Sequence, residues 1–397
     1  MIDTKTAIEK ITNGEFDNLF TDIYIDSSMI DYQKKRYIHA VEQYETIFCP
    51  DKVAIFSAPG RSEVCGNHTD HQHGMVLATS INLDTIAVSA KNNNDVVRFV
   101  SDGYDMITLN INDLEVNNDE AGTTVSLIRG VLRGLKDHGY KIGGFNAYAT
   151  SDVLVGAGLS SSAAFEVVVG TIISGLYNDM KINSVEIAQI SQYAENVFFK
   201  KPCGLMDQMA CSVGGMVNID FKDPTKPIVK KVPTEFEKYD YSLCIVDTKG
   251  DHVDLTDDYA MIPSEMKKVA NFLGEDYLRD CDSNEFYIRL DEIREAVGDR
   301  PVLRAIHFFN EEYNVKNAVS SLENGKFVEF LDAIRKSGNS SFKYLQNVYT
   351  TRDIQHQNIS VALALSESLL RNYGVCRVHG GGFAGTIQAF VKNDFCK

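Results

Sequence analysis

Residues 66–74, GNHTDHQHG, bring three imidazoles and a carboxylate within six positions, at His68, Asp70, His71 and His73. Such groups are common ligands of transition metals. The order His-x-Asp-His-x-His differs from the hydrolase pattern His-x-His-x-Asp-His, and no second His/Asp group with metal spacing occurs in the chain. A metallohydrolase is therefore one hypothesis, although the ligand set is incomplete.

Residues 155–170, VGAGLSSSAAFEVVVG, combine a glycine loop, three serines and an apolar helix. The unpaired N–H groups and the positive end of the helix dipole meet at the serines, and this combination binds phosphate. No Gly-Lys-Ser/Thr follows, and no glycine at 161 completes G-x-G-x-x-G, so the segment is neither a Walker loop nor a dinucleotide fingerprint. The alternative is a helix N-cap with small residues for packing.

Residues 379–385, HGGGFAG, resemble the oxyanion motif of some esterases. Those enzymes carry a G-x-S-x-G nucleophile downstream, whereas only 12 residues follow Gly385 and the chain contains no such motif. An esterase is excluded on this ground. The segment is then either a backbone loop that approaches a ligand closely or a plain turn between strands.

Residues 194–211, AENVFFKKPCGLMDQMAC, carry Glu195 on a predicted helix and Asp207 after a Pro-Cys-Gly break. A folded loop could bring both carboxylates to one site. Carboxylate and serine oxygens are ligands that Mg²⁺ prefers beside phosphate. The alternative, two solvated surface acids, is weakened by the neighbouring Cys, Met and Phe residues.

The remaining pattern supplies elements to hold these motifs. Helical spacing is found at 123–139 and at 183–199, where Asn183 and Glu186 form a capping-box pattern. Runs rich in Val, Ile, Phe and Tyr predict strands at 52–59, 75–91, 95–101 and 144–150. Without regular alternation of strands and helices, the pattern favours an α+β fold.

A charged, proline-containing stretch at 222–238 indicates a domain boundary, which gives domains 1–221 and 222–397. The second begins with a strand at 241–248, continues with mostly helical periodicity to about 370, and ends with a strand pair within 377–391. A chain of 397 residues exceeds the roughly 250–300 residues at which single cores stop growing, so two domains are expected.

Composition limits the partners. There are 39 Lys and Arg against 55 Asp and Glu, a net charge of -16, which disfavours nucleic acid and anionic membranes. The N-terminus lacks a signal-peptide core, no apolar run is long enough to span a bilayer, and the eight cysteines contain no C-x-x-C pair. We expect a soluble cytoplasmic protein, a monomer or weak homo-oligomer, that binds small molecules.

Together these motifs, with APGRSEVCGNHTDHQHG at 58–74, resemble the kinases of the GHMP superfamily and, within it, the galactokinases, from about residue 52 onward. The most specific segments are GLSSSAA, PCGLMDQ and GGGFAG. Galactokinases typically begin A-P-G-R-x-N-L-I-G-E-H-T-D-Y, which this chain matches at Pro59, Gly60, Arg61, Gly66, His68, Thr69 and Asp70. The resemblance implies a two-domain GHMP-kinase-like fold of mixed sheets and helices, an active site in the cleft between the domains, and sugar rather than metal at 66–74.

The resemblance also implies roles for particular residues, with ATP and Mg²⁺ as cosubstrate and cofactor. Asp207 would take the proton of the sugar's anomeric hydroxyl, and Arg61 would hold the attacking oxygen. Mg²⁺ would be held by Ser162 and Glu195. ATP phosphates would be bound by Gly156, Ala157, Gly158, Leu159, Ser160, Ser161 and Ser162. The sugar would be bound by Asn67, His68, Asp70, Gly204 and Tyr259.

Departures from the family pattern cluster in the first motif, where Glu63, Cys65, Asn67 and His71 replace Asn, Ile, Glu and Tyr. The family's Glu accepts a hydrogen bond from the hydroxyl on carbon 6 of galactose. Asn67 could accept that bond or donate one, and would admit a carboxylate at carbon 6. The expected function is an ATP-dependent sugar 1-kinase acting on galactose. A kinase for a related sugar such as galacturonate, and a non-catalytic sugar and ATP sensor, are the alternatives.

Overall fold

The computed structural model describes residues 1–49, 52–154, 156, 158–234, 236–250 and 255–396. The contacts divide the chain into two units. Unit 1 comprises residues 1–61, 80–154 and 160–214, and unit 2 comprises residues 62–79, 155–159 and 215–397. The expected break after residue 221 stays a prediction, and the units differ from it by assigning 62–79, 155–159 and 215–221 to the unit that contains the C-terminal part.

The strands within the described ranges are β1 (Ile2–Asp3), β2 (Lys52–Cys65), β3 (Met75–Lys91), β4 (Val96–Ser101), β5 (Ile107–Asn110), β6 (Phe145–Ser151), β7 (Met216–Asp220), β8 (Ile228–Lys231), β9 (Tyr241–Asp247), β10 (Gly374–Val378) and β11 (Thr386–Lys392). The α-helices are α1 (Thr4–Thr12), α2 (Asp17–Tyr24), α3 (Ile30–Phe48), α4 (Thr124–Asp137), α5 (Ser161–Tyr177), α6 (Ser184–Tyr193), α7 (Met206–Val213), α8 (Thr256–Phe272), α9 (Ser283–Ile288), α10 (Leu290–Val297), α11 (Asp299–Glu323), α12 (Phe327–Ser340) and α13 (Asn358–Leu370).

Unit 1 is a mixed sheet between two helical layers. Its strand order is β1-β2-β3-β6-β4-β5, in which β4 and β6 are parallel and β3 and β6 antiparallel. Side chains alternate between the faces of a strand, so Ala87 packs with α4 to α6 while Ile86 and Val88 pack with α1 to α3. The sheet is therefore buried on both faces.

Unit 2 has shorter strands and more helix. Residues 75–79 of β3 pair with β7, which pairs with β8, and a separate antiparallel sheet has the order β10-β11-β9. Phe330 of α12 and Phe390 of β11 lie in one apolar cluster with ring centroids 5.1 Å apart. Among the described helices none is long and apolar enough to cross a membrane.

The predicted α+β class with mixed sheets is confirmed. The four strands predicted in the first half correspond to β2, β3, β4 and β6, and the two helices to α4 and α6. Asn183 caps α6 as expected, because its side chain accepts a hydrogen bond from the Val185 N–H at 2.8 Å. Glu186 instead accepts a hydrogen bond from the Tyr140 hydroxyl at 2.7 Å.

Candidate active site

The start of α5 is set by Ser160, whose backbone is left-handed at φ 58°. This conformation ends the preceding loop, and the helix begins at Ser161 with its first N–H groups unpaired within the helix. Gly156 and Gly158 also have positive φ, of 77° and 67°, which glycine adopts without strain. The sequence prediction of a glycine loop leading into a helix is confirmed, while Ala157 lies outside the described residues.

Arg61 and Asp207 form an ion pair in unit 1. The Nε and Nη2 atoms of Arg61 each donate to Oδ1 of Asp207 at 2.7 Å. The other carboxylate oxygen, Oδ2, accepts a hydrogen bond from the Ser160 hydroxyl at 2.5 Å. The Asp207 carboxylate therefore binds both the other predicted catalytic residue, Arg61, and the first serine of the loop. The Asp207 side chain is 32% exposed.

The pKa of Asp207 reflects opposing causes. Burial raises the pKa of the carboxyl, but the Arg61 charge and the hydrogen bonds from Arg61 and Ser160 outweigh burial and hold the pKa below its ordinary value. Asp207 is therefore a carboxylate at neutral pH. A carboxylate has about four lone-pair positions, so Asp207 can accept a further hydrogen bond in addition to these contacts.

Ser162 and Glu195 are also brought together. The Ser162 hydroxyl donates to Oε1 of Glu195 at 3.2 Å, and Lys201 Nζ lies 3.0 Å from the same oxygen. Neighbouring ligands of an octahedral Mg²⁺ with bonds of about 2.0–2.1 Å lie about 3 Å apart. The two oxygens thus fit adjacent Mg²⁺ ligands, and the Lys201 ammonium shows that a cation is already stabilised beside Glu195.

Two residues that sequence reasoning missed, Gln208 and Glu166, lie beside Glu195. Gln208 is fully buried, and its Nε2 donates to Oε2 of Glu195 at 2.7 Å and to Oε2 of Glu166 at 3.2 Å. Burial, followed by the nearby charge of Glu195, raises the pKa of Glu166 to about 9. Glu166 is therefore neutral at pH 7. The signal was present, since Gln208 directly follows Asp207 in PCGLMDQ and Glu166 is the second residue after GLSSSAA.

The His-rich segment lies in unit 2. The His68 ring donates from Nε2 to the Gly381 carbonyl at 3.0 Å and stacks on His71 at 5.6 Å between ring centroids. Burial, and then the neighbouring His71, lowers the pKa of His68 to about 3, so the ring is neutral. Asp70 accepts a hydrogen bond from the His71 N–H at 3.0 Å. In the part of the chain that the structure describes, no three His, Cys, Asp or Glu side chains are placed to hold a metal together.

Asn67, which the sequence predicted as a sugar ligand, has its side chain bound within the protein. Its side chain is fully buried, and Nδ2 donates to both carboxylate oxygens of Glu63 at 3.0 and 3.1 Å and to the Gly380 carbonyl at 2.7 Å. Its Oδ1 accepts from Asn347 Nδ2 at 2.7 Å and from the Ser341 hydroxyl at 3.3 Å. Both ends of the amide are used within unit 2, and the expected contact of Asn67 with a sugar hydroxyl stays a prediction.

The glycine loop of the HGGGFAG segment has its carbonyls bound by side chains. Gly380 accepts from Asn67, Gly381 from Asn347 at 3.0 Å as well as from His68, and Gly382 from the Tyr259 hydroxyl at 2.8 Å. A Cβ atom on Gly381 would lie 2.6 Å from the Tyr259 ring, and one on Gly382 would lie 2.0 Å from the Asn347 carbonyl oxygen. Side chains at these positions would therefore break the loop.

The other predicted ligands are distributed between the units. Gly158 lies beside the HGGGFAG segment, since a Cβ there would be 3.4 Å from His379 Nδ1. Leu159 is buried, and Gly204 immediately precedes the turn into α7. Unit 1 thus brings together Arg61, Asp207, Ser160, Ser162 and Glu195. Unit 2 brings together Asn67, His68 and Tyr259 around the glycine loop.

Comparison with known proteins agrees with this site. The model for the N-terminal domain of GHMP kinases matches residues 126–215, and the galactokinase galactose-binding signature matches residues 42–91. A galactokinase of Limosilactobacillus reuteri is 30% identical over 364 residues, 88% of each chain. A galactokinase of Streptomyces coelicolor is 28% identical over 358 residues, also 88% of each chain.

Solved structures share the fold. The crystal structure of Lactococcus lactis galactokinase complexed with galactose aligns with a TM-score of 0.76 at 22% identity, over 89% of each chain. Mevalonate kinase of Methanococcus jannaschii aligns with a TM-score of 0.56 over 86% of this chain. The fold and the glycine-serine loop define a GHMP kinase. Within that superfamily the chain belongs to the galactokinase family.

Proposed function

We propose that this protein is a galactokinase, which transfers the γ-phosphoryl group of ATP to the anomeric hydroxyl of galactose. The observation that carries the proposal is the Arg61–Asp207 ion pair, which lies one hydrogen bond from Ser160 at the start of α5. A carboxylate next to a phosphate-binding helix start fits the transfer of phosphate to a hydroxyl. Relatives that cover most of the chain are galactokinases.

In the reaction, a bond forms between the anomeric oxygen and the γ-phosphorus, and the bond from that phosphorus to the β–γ bridging oxygen breaks. The hydroxyl proton passes to Asp207. Because the pKa of Asp207 is lowered, the carboxylate is a weak base, and it accepts the proton as positive charge builds up on the attacking oxygen. A loose phosphoryl-transfer transition state needs little more, since its catalysis is mainly positioning and charge stabilisation.

The phosphates are bound by the loop and helix start. Backbone N–H groups of Gly156 and of residues 158–162 would face the phosphates of ATP, where the helix dipole favours negative charge. Ser162 and Glu195 would hold Mg²⁺, which when bound neutralises charge on the phosphate oxygens. Gln208 fixes the Glu195 carboxylate from its other oxygen.

The sugar would be held by His68, Asp70, Gly204 and Tyr259. His68 is neutral and has Nε2–H bound to Gly381, so its Nδ1 is an acceptor for a sugar hydroxyl. Asp70 is an acceptor for sugar hydroxyls through its carboxylate oxygens. The match of residues 42–91 to a galactose-binding signature supports galactose as the substrate.

The test is ADP release from MgATP with galactose, galacturonate, glucuronate, N-acetylgalactosamine and arabinose, with the Asp207→Asn protein as control. We expect turnover on galactose that is lost in the variant. Turnover on a hexuronic acid alone would show that galactose is not the substrate, while the proposed phosphoryl transfer would stand. Absence of turnover on every sugar, with sugar and ATP binding still measurable by calorimetry, would contradict the proposal and identify a sensor.

A further inference from the structure

Asn67 lies at the centre of a buried hydrogen-bond network in unit 2 that the proposed chemistry does not use. Its Nδ2 group joins Glu63 to the Gly380 carbonyl, and its Oδ1 atom is bound by Asn347. The backbone carbonyl of Asn67 is also used, because His307 Nε2 lies 2.8 Å from it. The residue therefore connects the first motif to three other segments of the chain.

The charge next to Asn67 determines which side chain fits there. Glu63 pairs with Arg377, which is fully buried, at 3.1 Å between Oε1 and Nη2. The Asn67 amide lies against the same carboxylate and against a carbonyl oxygen, so position 67 faces three oxygen acceptors. A donor is required at that point, and a carboxylate there would be repelled by Glu63.

The network also controls which backbone groups the glycine loop presents. Each carbonyl of Gly380, Gly381 and Gly382 accepts a side-chain hydrogen bond. The N–H groups of the same three glycines have no hydrogen-bond partner in the described part of the chain. Gly380 and Gly382 have positive φ, of 64° and 82°, which glycine adopts without strain. This conformation lets the loop direct its carbonyls to the side chains that bind them while its N–H groups point elsewhere.

We propose that Asn67 is a positioning residue that fixes the glycine loop at 380–382, and that its side chain makes no contact with the sugar. The inference rests on the proposed function, because it concerns how that enzyme distinguishes sugars. It follows that the Asn at position 67 is not what selects the substituent at carbon 6. Replacement of the family's Glu by Asn67 then changes the internal support of the site and leaves galactose admissible.

The first experiment compares galactose with 6-deoxygalactose, which lacks the carbon 6 hydroxyl, in the wild type and in Asn67→Ala. We expect kcat/KM of Asn67→Ala to fall about tenfold or more for both sugars, since the buried hydrogen bonds of the Asn67 amide are lost. The ratio of the two kcat/KM values stays within about twofold of the wild-type ratio. A ratio that collapses toward one would overturn the inference, because it would show that Asn67 reads the carbon 6 hydroxyl.

The second experiment needs no activity. Amide hydrogen exchange of residues 379–385 is measured by mass spectrometry in the ligand-free full chain. We expect exchange in this segment to be at least about tenfold faster in Asn67→Ala than in wild type, since opening of the loop is opposed by one bond fewer. Ser341→Ala is the matched control, because Ser341 bonds Asn67 Oδ1 without contacting the loop. Unchanged exchange in Asn67→Ala would overturn the positioning role.

Failure of the two proposals can be distinguished. If the wild type phosphorylates no sugar, the proposed function fails, while the exchange experiment still tests Asn67. Circular dichroism shows whether Asn67→Ala is folded. If it is not, Asn67→Asp keeps the size and the acceptor for Asn347 but removes the donors to Glu63 and Gly380, and the same two outcomes apply to it.

Discussion

Nε2 of Gln208 lies 2.7 Å from Oε2 of Glu195, and Gln208 is the next residue in the chain after Asp207. One turn of α7 therefore carries both the proposed base and the support of the proposed metal ligand. Because Gln208 occupies Oε2, Oε1 is the oxygen of Glu195 that faces Ser162. Supporting hydrogen bonds of this kind orient ligands and tune metal affinity.

Gln208→Ala is expected to weaken metal affinity by about 10- to 100-fold, because Glu195 loses its orienting donor. Binding of Mn²⁺ to the complex with a non-hydrolysable ATP analogue, followed by electron paramagnetic resonance, measures this directly. Ser212→Ala is the control on the same helix, since its hydroxyl donates to the Ser184 carbonyl. Equal Mn²⁺ affinity in wild type and Gln208→Ala would show that Glu195 needs no such support.

Asp207→Asn is expected to lower kcat by about 10²- to 10⁴-fold, which is the usual contribution of a positioned general base. The amide keeps the shape of the side chain but cannot take the proton. Affinity for ADP, measured by calorimetry, should change little, because the N–H groups of the phosphate loop are not altered. A variant that retains wild-type kcat would remove Asp207 from the reaction.

The pH dependence of kcat/KM is expected to depend on Arg61. In wild type the pKa of Asp207 lies below its ordinary value of 3.8, so the carboxyl stays ionised at any pH above 3.8. Protonation of this group should therefore cause no fall in kcat/KM between pH 7 and pH 5. In Arg61→Gln the largest opposing charge is removed and burial then raises the pKa, so an acid limb should move up by about one to three pH units. The comparison uses kcat/KM because it reports groups of the free enzyme.

The parts of the site that are close in sequence were predictable. GLSSSAA predicted the helix start now seen at Ser161, and the carboxylate pair predicted from AENVFFKKPCGLMDQMAC is placed by a π-helical turn at Ala194–Phe199 and by α7. These features depend on local rules: glycine at positive φ, unpaired N–H groups at a helix start, and a break at Pro202.

The partners of Asn67 were not predictable in the same way. Its side chain bonds Glu63, Gly380, Asn347 and Ser341, of which all but Glu63 lie more than 270 positions away, and its backbone carbonyl bonds His307, which lies 240 positions away. Only the packed structure shows that the amide meets acceptors on one side and donors on the other. The change from Glu to Asn in the motif therefore indicated that a carboxylate at carbon 6 could be admitted, whereas the fold turns that side chain inward.

His68 should make stability depend on pH below neutrality. Its pKa is about 3 in the folded state and 6.5 ordinarily, so below pH 6.5 the unfolded chain binds a proton that the folded chain does not. The free energy of unfolding should therefore fall by about 1–2 kcal/mol from this residue as pH drops from 7 to 5. Urea unfolding at both pH values gives, for wild type and for His68→Gln, the change in the free energy of unfolding between pH 7 and pH 5. The difference between these two changes is the contribution of His68. An equal change in the two proteins would contradict a lowered pKa of His68 in the folded state.

The buried pair of Glu63 and Arg377 gives the last prediction. Arg377 is fully buried, and its Nη1 donates to the Val64 carbonyl at 2.9 Å while Nη2 pairs with Glu63. Glu63→Gln removes the charge that pairs directly with the buried guanidinium, so the free energy of unfolding should fall by about 3–5 kcal/mol. Glu63→Gln combined with Arg377→Met should be less destabilised than Glu63→Gln alone, because the guanidinium that lost its paired carboxylate is also removed. A double variant as unstable as the sum of both single variants would show that the two charges do not stabilise each other.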